Sequence, residues 1–310
     1  MAGTPVTMAK VWFVYHPRYE MDLQGHVFPT QKYRLLRERL LAEGLAKPED
    51  FVEPDPVPWD DLKLVHTPEY LEDLQHLRWT HRTMYSELPL TREIVEGFLL
   101  MAAGTWKATQ LALQDGFGFH IGGGFHHAYP DHAEGFCYIN DLAYAIRKAQ
   151  REGLLRRALV VDCDVHQGNG TAAIFRNDPH VFTFSIHQEE LYPWPKEQSD
   201  WDIGLPMFTE DAVYLSELRA ALDEIYRQFT PELVVYQAGA DPYKEDQLAN
   251  LRLTKEGLRK RDRLVLEAAW KRRIPVVITL GGGYARRLQD TVEIHLNTAK
   301  VALDLAEGGA

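Results

Sequence analysis

The sequence is poor in the features that mark secreted and membrane-embedded proteins. Its 310 residues include two cysteines, Cys137 and Cys163, too few for a disulfide framework or a cysteine-rich zinc site. Both lie among apolar neighbours, which indicates small buried core residues in a reducing, cytoplasmic protein. There is no run of 18 apolar residues and no leader pattern of basic, apolar and small-residue segments. We therefore expect neither a membrane span nor a secretory signal.

Positive charge is also scarce. Asp and Glu number 45 against 34 Lys and Arg, which gives a formal net charge of −11, and no Lys/Arg-rich run is present. Nucleic-acid binding depends mostly on neutralising phosphates, so we expect no nucleic-acid partner. An acidic protein is compatible with cationic substrates such as lysine-bearing chains or polyamines. Nothing in the sequence indicates an oligomeric state.

What the sequence does contain is a regular alternation of short apolar runs and amphipathic segments. Strands are predicted over residues 11–15, 64–65, 117–121, 158–165, 181–186, 233–237 and 276–280. Helices are predicted over residues 30–44, from residue 70, and over 94–113, 141–153, 211–229, 255–270 and 290–305. Nearly all-apolar strands alternating with helices are typical of a parallel sheet covered on both faces. With no repeat or linker, we predict a single α/β domain over residues 1–310, with a central, mostly parallel sheet and helices on both faces.

The strand over residues 158–165 carries the strongest chemical signal. It reads A-L-V-V-D-C-D-V and runs into His166. Since residues i and i+2 of a strand share a face, Asp162, Asp164 and His166 should point the same way. A helix cap or turn residue would explain Asp162 alone, but not three polar residues in strict alternation. Carboxylates and imidazole are ligands that zinc accepts, and burying them without a partner is costly.

Three other predicted strands also end in polar or glycine-rich segments. These segments are G-G-G-F-H-H-A at 122–128, Y-Q-A-G-A-D at 236–241 and T-L-G-G-G-Y at 279–284. Singly, each has an ordinary explanation: core histidines, a turn aspartate before proline, and a packed tyrosine. Ligands of parallel sheets bind beyond the carboxyl ends of the strands, so together they predict one site. Asp164, His166 and Asp241 would supply three ligands and leave a fourth position open, as in catalytic zinc sites.

These motifs together resemble the histone deacetylase family, whose members have the arginase/deacetylase fold. G-G-G-F-H-H-A, G-F-C-Y-I-N-D, D-C-D-V-H-Q-G-N-G, A-G-A-D-P and G-G-G-Y occur in the family's order, and the likeness extends from about residue 11 to about residue 296. H-Q-G-N-G, L-Y-P at 191–193 and R-L-T-K-E-G-L-x-x-R-D at 252–262 are most similar to the class IV branch. Bacterial deacetylase-like proteins share many of these motifs.

The resemblance implies a role for each matching residue. The zinc ligands would be Asp164, His166 and Asp241. The catalytic group would comprise the tandem histidines His126 and His127, their partners Asp162 and Asn169, and the phenol of Tyr284. An acyl-lysine tunnel would be lined by Gly135, Phe136 and Tyr192. A structural monovalent cation, usually K⁺, would be held by Asp162, by main-chain oxygens of Asp164, His166 and Ile186, and by the Ser185 hydroxyl.

The resemblance also implies a reaction, the hydrolysis of an acyl amide on an alkyl-amine stem by a metal-activated water. The substrate would be acetyl- or longer acyl-lysine in a protein, or an acetylpolyamine or other small amide. One alternative on this fold is a binuclear manganese ureohydrolase, which needs more bridging carboxylates than D-P-Y at 241–243 provides. A non-catalytic acyl-lysine binding protein is the other alternative. It would be favoured by loss of a ligand, a histidine or the tyrosine, and none is missing.

Asn169 stands where class I family members pair an aspartate with the second histidine. An amide oxygen can accept the hydrogen bond but brings no charge, so the pKa of His127 should be lower than beside a carboxylate. We therefore predict that His127 rests neutral and acts first as a base. Asn169→Asp should raise the pKa of His127 and move the acidic limb of the pH–rate profile to higher pH. An acidic limb that does not move would contradict this reasoning.

Overall fold

Eight parallel strands form one continuous sheet in the computed structural model, which describes residues 9–308. The order across the sheet is β2-β1-β3-β8-β7-β4-β5-β6, and every neighbouring pair is parallel. The strands are β1 Lys10–Val14, β2 Phe51–Val52, β3 Gly116–His120, β4 Ala158–Asp162, β5 Val181–Gln188, β6 Trp201–Leu205, β7 Leu233–Gln237 and β8 Val276–Thr279. The predicted α/β class and parallel sheet are confirmed, and the domain extent of 1–310 stays a prediction.

Two layers of helices flank this sheet. The helices are α1 Gln31–Ala42, α2 Pro68–Gln75, α3 Arg92–Asp115, α4 Asp141–Arg151, α5 Asn169–Phe175, α6 Asp211–Gln228, α7 Lys255–Trp270 and α8 Leu288–Ala306. In one layer α6, α7, α8 and α1 contact each other in succession, and in the other α3, α4 and α5 do so. The four central strands β3, β8, β7 and β4 are buried almost throughout. Their near-continuous apolar composition follows from that double coverage.

Side-chain caps fix several helix starts where the sequence predicts them. Thr67 accepts a hydrogen bond from the backbone of Tyr70, and Pro68 occupies the first helical position of α2. Asn140 is the cap of α4, since its Oδ1 accepts from the backbone N–H of Ala143 at 3.0 Å. Thr30 is at the N-cap position of α1 but makes no cap bond, because its hydroxyl donates to the carbonyl of Met21.

The predicted strand at 64–65 is wrong, and two strands and one short α-helix were not predicted. Residue 64 ends a 3₁₀ helix, Trp59–Leu64. Strands β2 and β6 lie at the two edges of the sheet, where half-exposed residues show no apolar run. Helix α5 begins at Asn169 within G-N-G, a sequence typical of a turn, and it is only seven residues long.

The predicted strand over 158–165 is also too long, because β4 ends at Asp162. Two side chains turn the backbone there: Asp162 Oδ1 accepts from the N–H of Asp164 at 3.1 Å, and Asp164 Oδ1 accepts from the N–H of His166 at 3.0 Å. Strand alternation is therefore not the cause of this arrangement. Asp164 and His166 lie together because successive aspartate turns place them so, and not because they share a strand face.

A glycine in β3 lets the sheet approach α3 closely. A Cβ on Gly118 would lie 1.9 Å from the backbone carbonyl oxygen of Ala108 in α3. Gly118→Ala should therefore lower the free energy of unfolding by about 1–3 kcal/mol, measured by denaturant unfolding. Gly204→Ala in β6 is the matched control, because there the nearest atoms to the added Cβ all belong to the exposed side chain of Glu189 and none to the backbone. Equal stability of the two variants would contradict this account of the packing.

Candidate active site

The carboxyl ends of the four central strands bring together the side chains that the sequence singled out. His126 and His127 follow β3, Asp164 and His166 follow β4, Asp241 follows β7, and Tyr284 follows β8. These strands are consecutive neighbours in the order β3-β8-β7-β4. The predicted convergence at one sheet edge is therefore what the topology produces.

Asp164, His166 and Asp241 form one compact group whose potential ligand atoms all lie within 4.8 Å of one another. His166 Nδ1 lies 3.2 Å from Asp164 Oδ1 and 3.3 Å from Asp241 Oδ2. Backbone N–H groups hold the two carboxylates: Val165 donates to Asp241 Oδ1 at 2.9 Å and Gly282 donates to Asp164 Oδ2 at 2.8 Å. Among residues 9–308 no further His, Cys, Asp or Glu joins this group.

The group has the chemistry of a divalent-metal site. Asp241 Oδ2 is buried and accepts no hydrogen bond. Burial and the charge of Asp164 raise the pKa of Asp241 to about 6. Burial alone would lower the pKa of His166, but the two carboxylates outweigh it and raise the pKa to about 10. A divalent cation would take the place of that proton and compensate both carboxylates, so the residues fit a metal.

The tandem histidines lie in electrostatically different surroundings. His126 Nδ1 is 2.6 Å from Asp162 Oδ2. Burial would lower the pKa of His126, but the charges of Asp162 and Asp164 and this hydrogen bond raise it to about 9. His127 Nδ1 is instead 2.6 Å from the amide oxygen of Asn169. Burial first, and then the two neighbouring histidines, lower the pKa of His127 well below its usual value.

This difference agrees with the neutral His127 predicted from the sequence. The low pKa of His127, however, has causes other than the uncharged amide of Asn169. Burial and the charges of His126 and His166 lower the pKa of His127, whereas its hydrogen bond to Asn169 raises it. A protonated His126 and a neutral His127, whose rings are 4.1 Å apart at their centroids, therefore face the same space.

A cavity of about 300 Å³ opens over the Asp164–His166–Asp241 group and the two histidines. Aromatic and aliphatic side chains form most of its wall, namely Phe28, Phe125, Phe136, Leu191, Tyr192, Leu248 and Tyr284. Burial, with the charges of Asp241 and Asp164, raises the pKa of Tyr284 well above its usual value, so its phenol stays protonated and can donate a hydrogen bond. The predicted tunnel residues Gly135, Phe136 and Tyr192 all line this cavity.

The backbone at residues 135–136 explains why glycine occupies position 135 of the predicted tunnel. A Cβ on Gly135 would lie 2.7 Å from the His127 ring and 2.9 Å from the Tyr192 hydroxyl, so only glycine fits between them. Phe136 has a φ of 66°, which is uncommon for an aromatic residue. Its N–H donates to the carbonyl of Ser86 at 2.8 Å, and this bond helps to hold the strained residue.

The two side chains predicted to bind a monovalent cation lie side by side in the sheet. Asp162 and Ser185 are register partners on β4 and β5, both are buried, and Ile186 follows on β5. The Ser185 hydroxyl is 2.9 Å from Nδ1 of His187. Burial, with smaller effects from nearby cations, lowers the pKa of His187 to about 3, so it remains neutral there.

A buried arginine, Arg261, fastens the loops that carry Asp164 and Asp241. Arg261 Nη1 donates to the carbonyl of Gly239 at 2.5 Å and to that of Cys163 at 3.3 Å. Its guanidinium also pairs with Asp262 at 2.8 Å, and both side chains are fully buried. Arg261 lies in the R-D pair of the 252–262 motif, which was the available signal.

Two further buried aspartates position the other loops. Asp141 accepts from the backbone N–H groups of Gly124 and Phe125, at 2.9 and 2.7 Å, and so fixes the loop before the histidines. Asp246 accepts from the N–H of Tyr284 at 2.7 Å. Their sequence contexts, at a helix start and in an acidic loop, gave no sign of these distant contacts.

Comparison with known proteins shows the family to which the chain belongs. The family model described as the histone deacetylase domain matches residues 26–299. The chain belongs to the histone deacetylase family. Among its relatives in this family is an uncharacterized protein of Picosynechococcus sp., 41% identical over 294 residues that cover 94% of this chain and 98% of the relative. Histone deacetylase 2 of Arabidopsis thaliana is 29% identical, covering 93% of this chain and 79% of that protein. The acetoin utilization protein AcuC of Bacillus subtilis is 31% identical, covering 78% and 69%.

Solved structures of histone deacetylase relatives share the fold. The HDA15 HD domain superposes with a TM-score of 0.81 at 22% identity, over 98% of this chain and 90% of that one. An HDAC homolog complexed with SAHA gives a TM-score of 0.83 at 24% identity, over 97% and 85%. The family assignment supports a hydrolytic deacetylase. In residues 9–308, none of the helices combines the length and the apolar character that crossing a bilayer requires.

The role of Arg261 can be measured directly. Arg261→Met leaves the Asp262 carboxylate buried and uncompensated, so the free energy of unfolding should fall by about 3–5 kcal/mol. Arg263→Met is the matched control, because Arg263 pairs with Asp304 near the surface and should change stability by about 0–1 kcal/mol. Equal denaturant midpoints for the two variants would show that Arg261 does not fasten the loops that carry Asp164 and Asp241.

Proposed function

We propose that this chain is a zinc-dependent hydrolase of acyl amides carried on an alkyl-amine stem. One observation carries the proposal: a two-carboxylate, one-imidazole group, a protonated histidine and a neutral histidine line the same apolar cavity. Three ligands that leave a position open are typical of catalytic zinc. The relatives named histone deacetylase support the same reaction class.

The cavity suits a neutral amide on a flexible apolar stem. Burying four methylenes of a lysine-like stem between Phe136, Tyr192 and Leu191 would contribute roughly 3 kcal/mol, at about 0.8 kcal/mol per methylene. The chain's net charge of −11 favours a carrier that is cationic outside the buried stem. An acyl-lysine in a protein and an acylated small amine such as acetylpolyamine both meet this description, in a cytoplasmic setting.

Zinc bound by Asp164, His166 and Asp241 would supply Lewis acidity toward the amide carbonyl and lower the pKa of a water near it. Neutral His127 accepts the proton of the attacking water at Nε2. Protonated His126 contributes positive charge to the developing oxyanion and is held in place by Asp162. Tyr284 donates its phenolic hydrogen to that oxyanion. His127 then returns the proton to the leaving amine.

A structural potassium ion is the second cofactor in this proposal. Asp162 is a buried carboxylate next to Ser185 across the β4–β5 pair, and main-chain oxygens of Asp164, His166 and Ile186 would complete the ligands. Such an ion would compensate Asp162 and stiffen the loop that carries two zinc ligands. It takes no part in proton transfer.

The test is a hydrolysis screen over acyl-chain lengths and over lysine-peptide and polyamine carriers, with and without a zinc chelator. We expect turnover of at least one substrate, its loss on chelation and its return with zinc. Tyr284→Phe should lower kcat about 10²–10³-fold, because one oxyanion donor is lost.

Tyr243→Phe is the matched control, since Tyr243 is buried outside the cavity and should leave kcat unchanged. A Tyr284→Phe enzyme with full activity would remove this phenol from the mechanism. Chelator-resistant hydrolysis, or none on any substrate, would overturn the proposed function.

A further inference from the structure

Glu134 contacts Asn169 on the side away from His127, and it has no role in the site described so far. Its Oε1 accepts two hydrogen bonds, from Asn169 Nδ2 at 3.1 Å and from the Tyr192 hydroxyl at 2.6 Å. Its Oε2 lies 3.3 Å from Nε2 of His132. One carboxylate thus connects the support of a histidine to the wall of the cavity.

The chemistry of a carboxylate fixes the direction of this whole hydrogen-bond chain. An ionised carboxylate can only accept, so Asn169 must turn its NH₂ group toward Glu134. Its amide oxygen then faces His127, 2.6 Å from Nδ1. An oxygen can only accept there, so His127 must carry its proton on Nδ1. Nε2 is left with a free lone pair.

Asn169 alone does not determine this direction. A free asparagine side chain can turn either its oxygen or its NH₂ group toward an imidazole, and the two orientations select opposite tautomers of a neutral ring. An aspartate at residue 169 would need no such control, because both of its oxygens accept. The control must therefore come from the group behind the amide, and that group is Glu134.

Glu134 is ionised in this setting. Burial would raise the pKa of its carboxyl group, but hydrogen bonds from His132, Tyr192 and Asn169 outweigh that effect and lower the pKa. Its side chain is 22% exposed, so it is largely shielded from competing water.

We propose that Glu134 is a positioning residue that locks neutral His127 in the Nδ1-protonated tautomer through Asn169 and holds the cavity wall through Tyr192. The tautomer lock stands on the hydrogen-bond geometry, and its effect on turnover rests on the proposed function. The two contacts make separable contributions. The Asn169 contact controls the base and hence kcat, whereas the Tyr192 contact shapes the cavity and hence KM.

The test combines NMR and kinetics on zinc-loaded protein labelled with ¹⁵N-histidine, with His127 assigned by its missing signals in His127→Ala. Wild type should show one protonated and one bare nitrogen, with the proton on Nδ1. Glu134→Ala should give a mixture of tautomers and lower kcat by about ten-fold or more, but by no more than the 10²–10⁴-fold that a positioned base contributes in total. Glu134→Gln keeps the side-chain size but can accept or donate, so it should be intermediate on both measurements.

Two further variants separate the contributions. Tyr192→Phe leaves the Glu134–Asn169 bond intact, so it should raise KM and keep the single tautomer. Asp131→Asn is the matched control, because this exposed carboxylate contacts only the far side of His132 and should change neither measurement.

A single Nδ1-protonated tautomer together with unchanged kcat in Glu134→Ala would overturn the proposal, and so would the same result in Glu134→Gln if the alanine variant does not fold. Mixed tautomers in Tyr192→Phe would overturn the division of roles. If wild type hydrolyses no acyl amide, the proposed function fails, while the tautomer comparison still decides whether Glu134 is the lock.

Discussion

The burial of Asp164 and Asp241 side by side is the constraint on which this structure depends. Two carboxylates at the centre of a doubly covered sheet are costly unless each charge has a partner. Backbone N–H groups of Val165, His166 and Gly282 compensate part of that charge. The glycines after β8 allow the backbone to come that close, since a Cβ on Gly282 would lie 2.0 Å from Asp241. The remaining charge is what makes the group suited to a divalent cation.

The same carboxylates divide the work of the two histidines. His126 lies near Asp162 and Asp164 and is protonated on both ring nitrogens, whereas His127 faces an uncharged amide and carries a proton on one nitrogen only. An acid–base pair needs such a separation, because two groups of equal pKa would not hold one proton in a defined place. In this chain burial and the two neighbouring imidazoles keep His127 neutral. The carboxylate of Glu134 does not contact His127 itself but the Asn169 amide between them.

Much of the architecture could be predicted because its signals are local. Apolar runs mark the central strands, Thr67 and Asn140 mark helix starts, and polar residues at strand ends mark the site. The edge strands and α5 could not be predicted in this way. Strand β2 has only two half-exposed residues and α5 only seven residues, too few to show a clear hydrophobic period. The roles of Arg261, Asp141 and Asp246 depend on contacts between segments distant in sequence. Glu134 is invisible for the same reason, since its partners Asn169 and Tyr192 are 35 and 58 residues away.

The proposed reaction depends most directly on Asp164, His166 and Asp241 holding one metal ion. Mass-spectrometric metal analysis of purified protein, dialysed against limiting zinc, tests this. We predict one zinc per chain in wild type and in Asp246→Asn, a buried carboxylate outside the group, and none in Asp241→Asn. Two ions per chain, or zinc that persists in Asp241→Asn, would contradict the account.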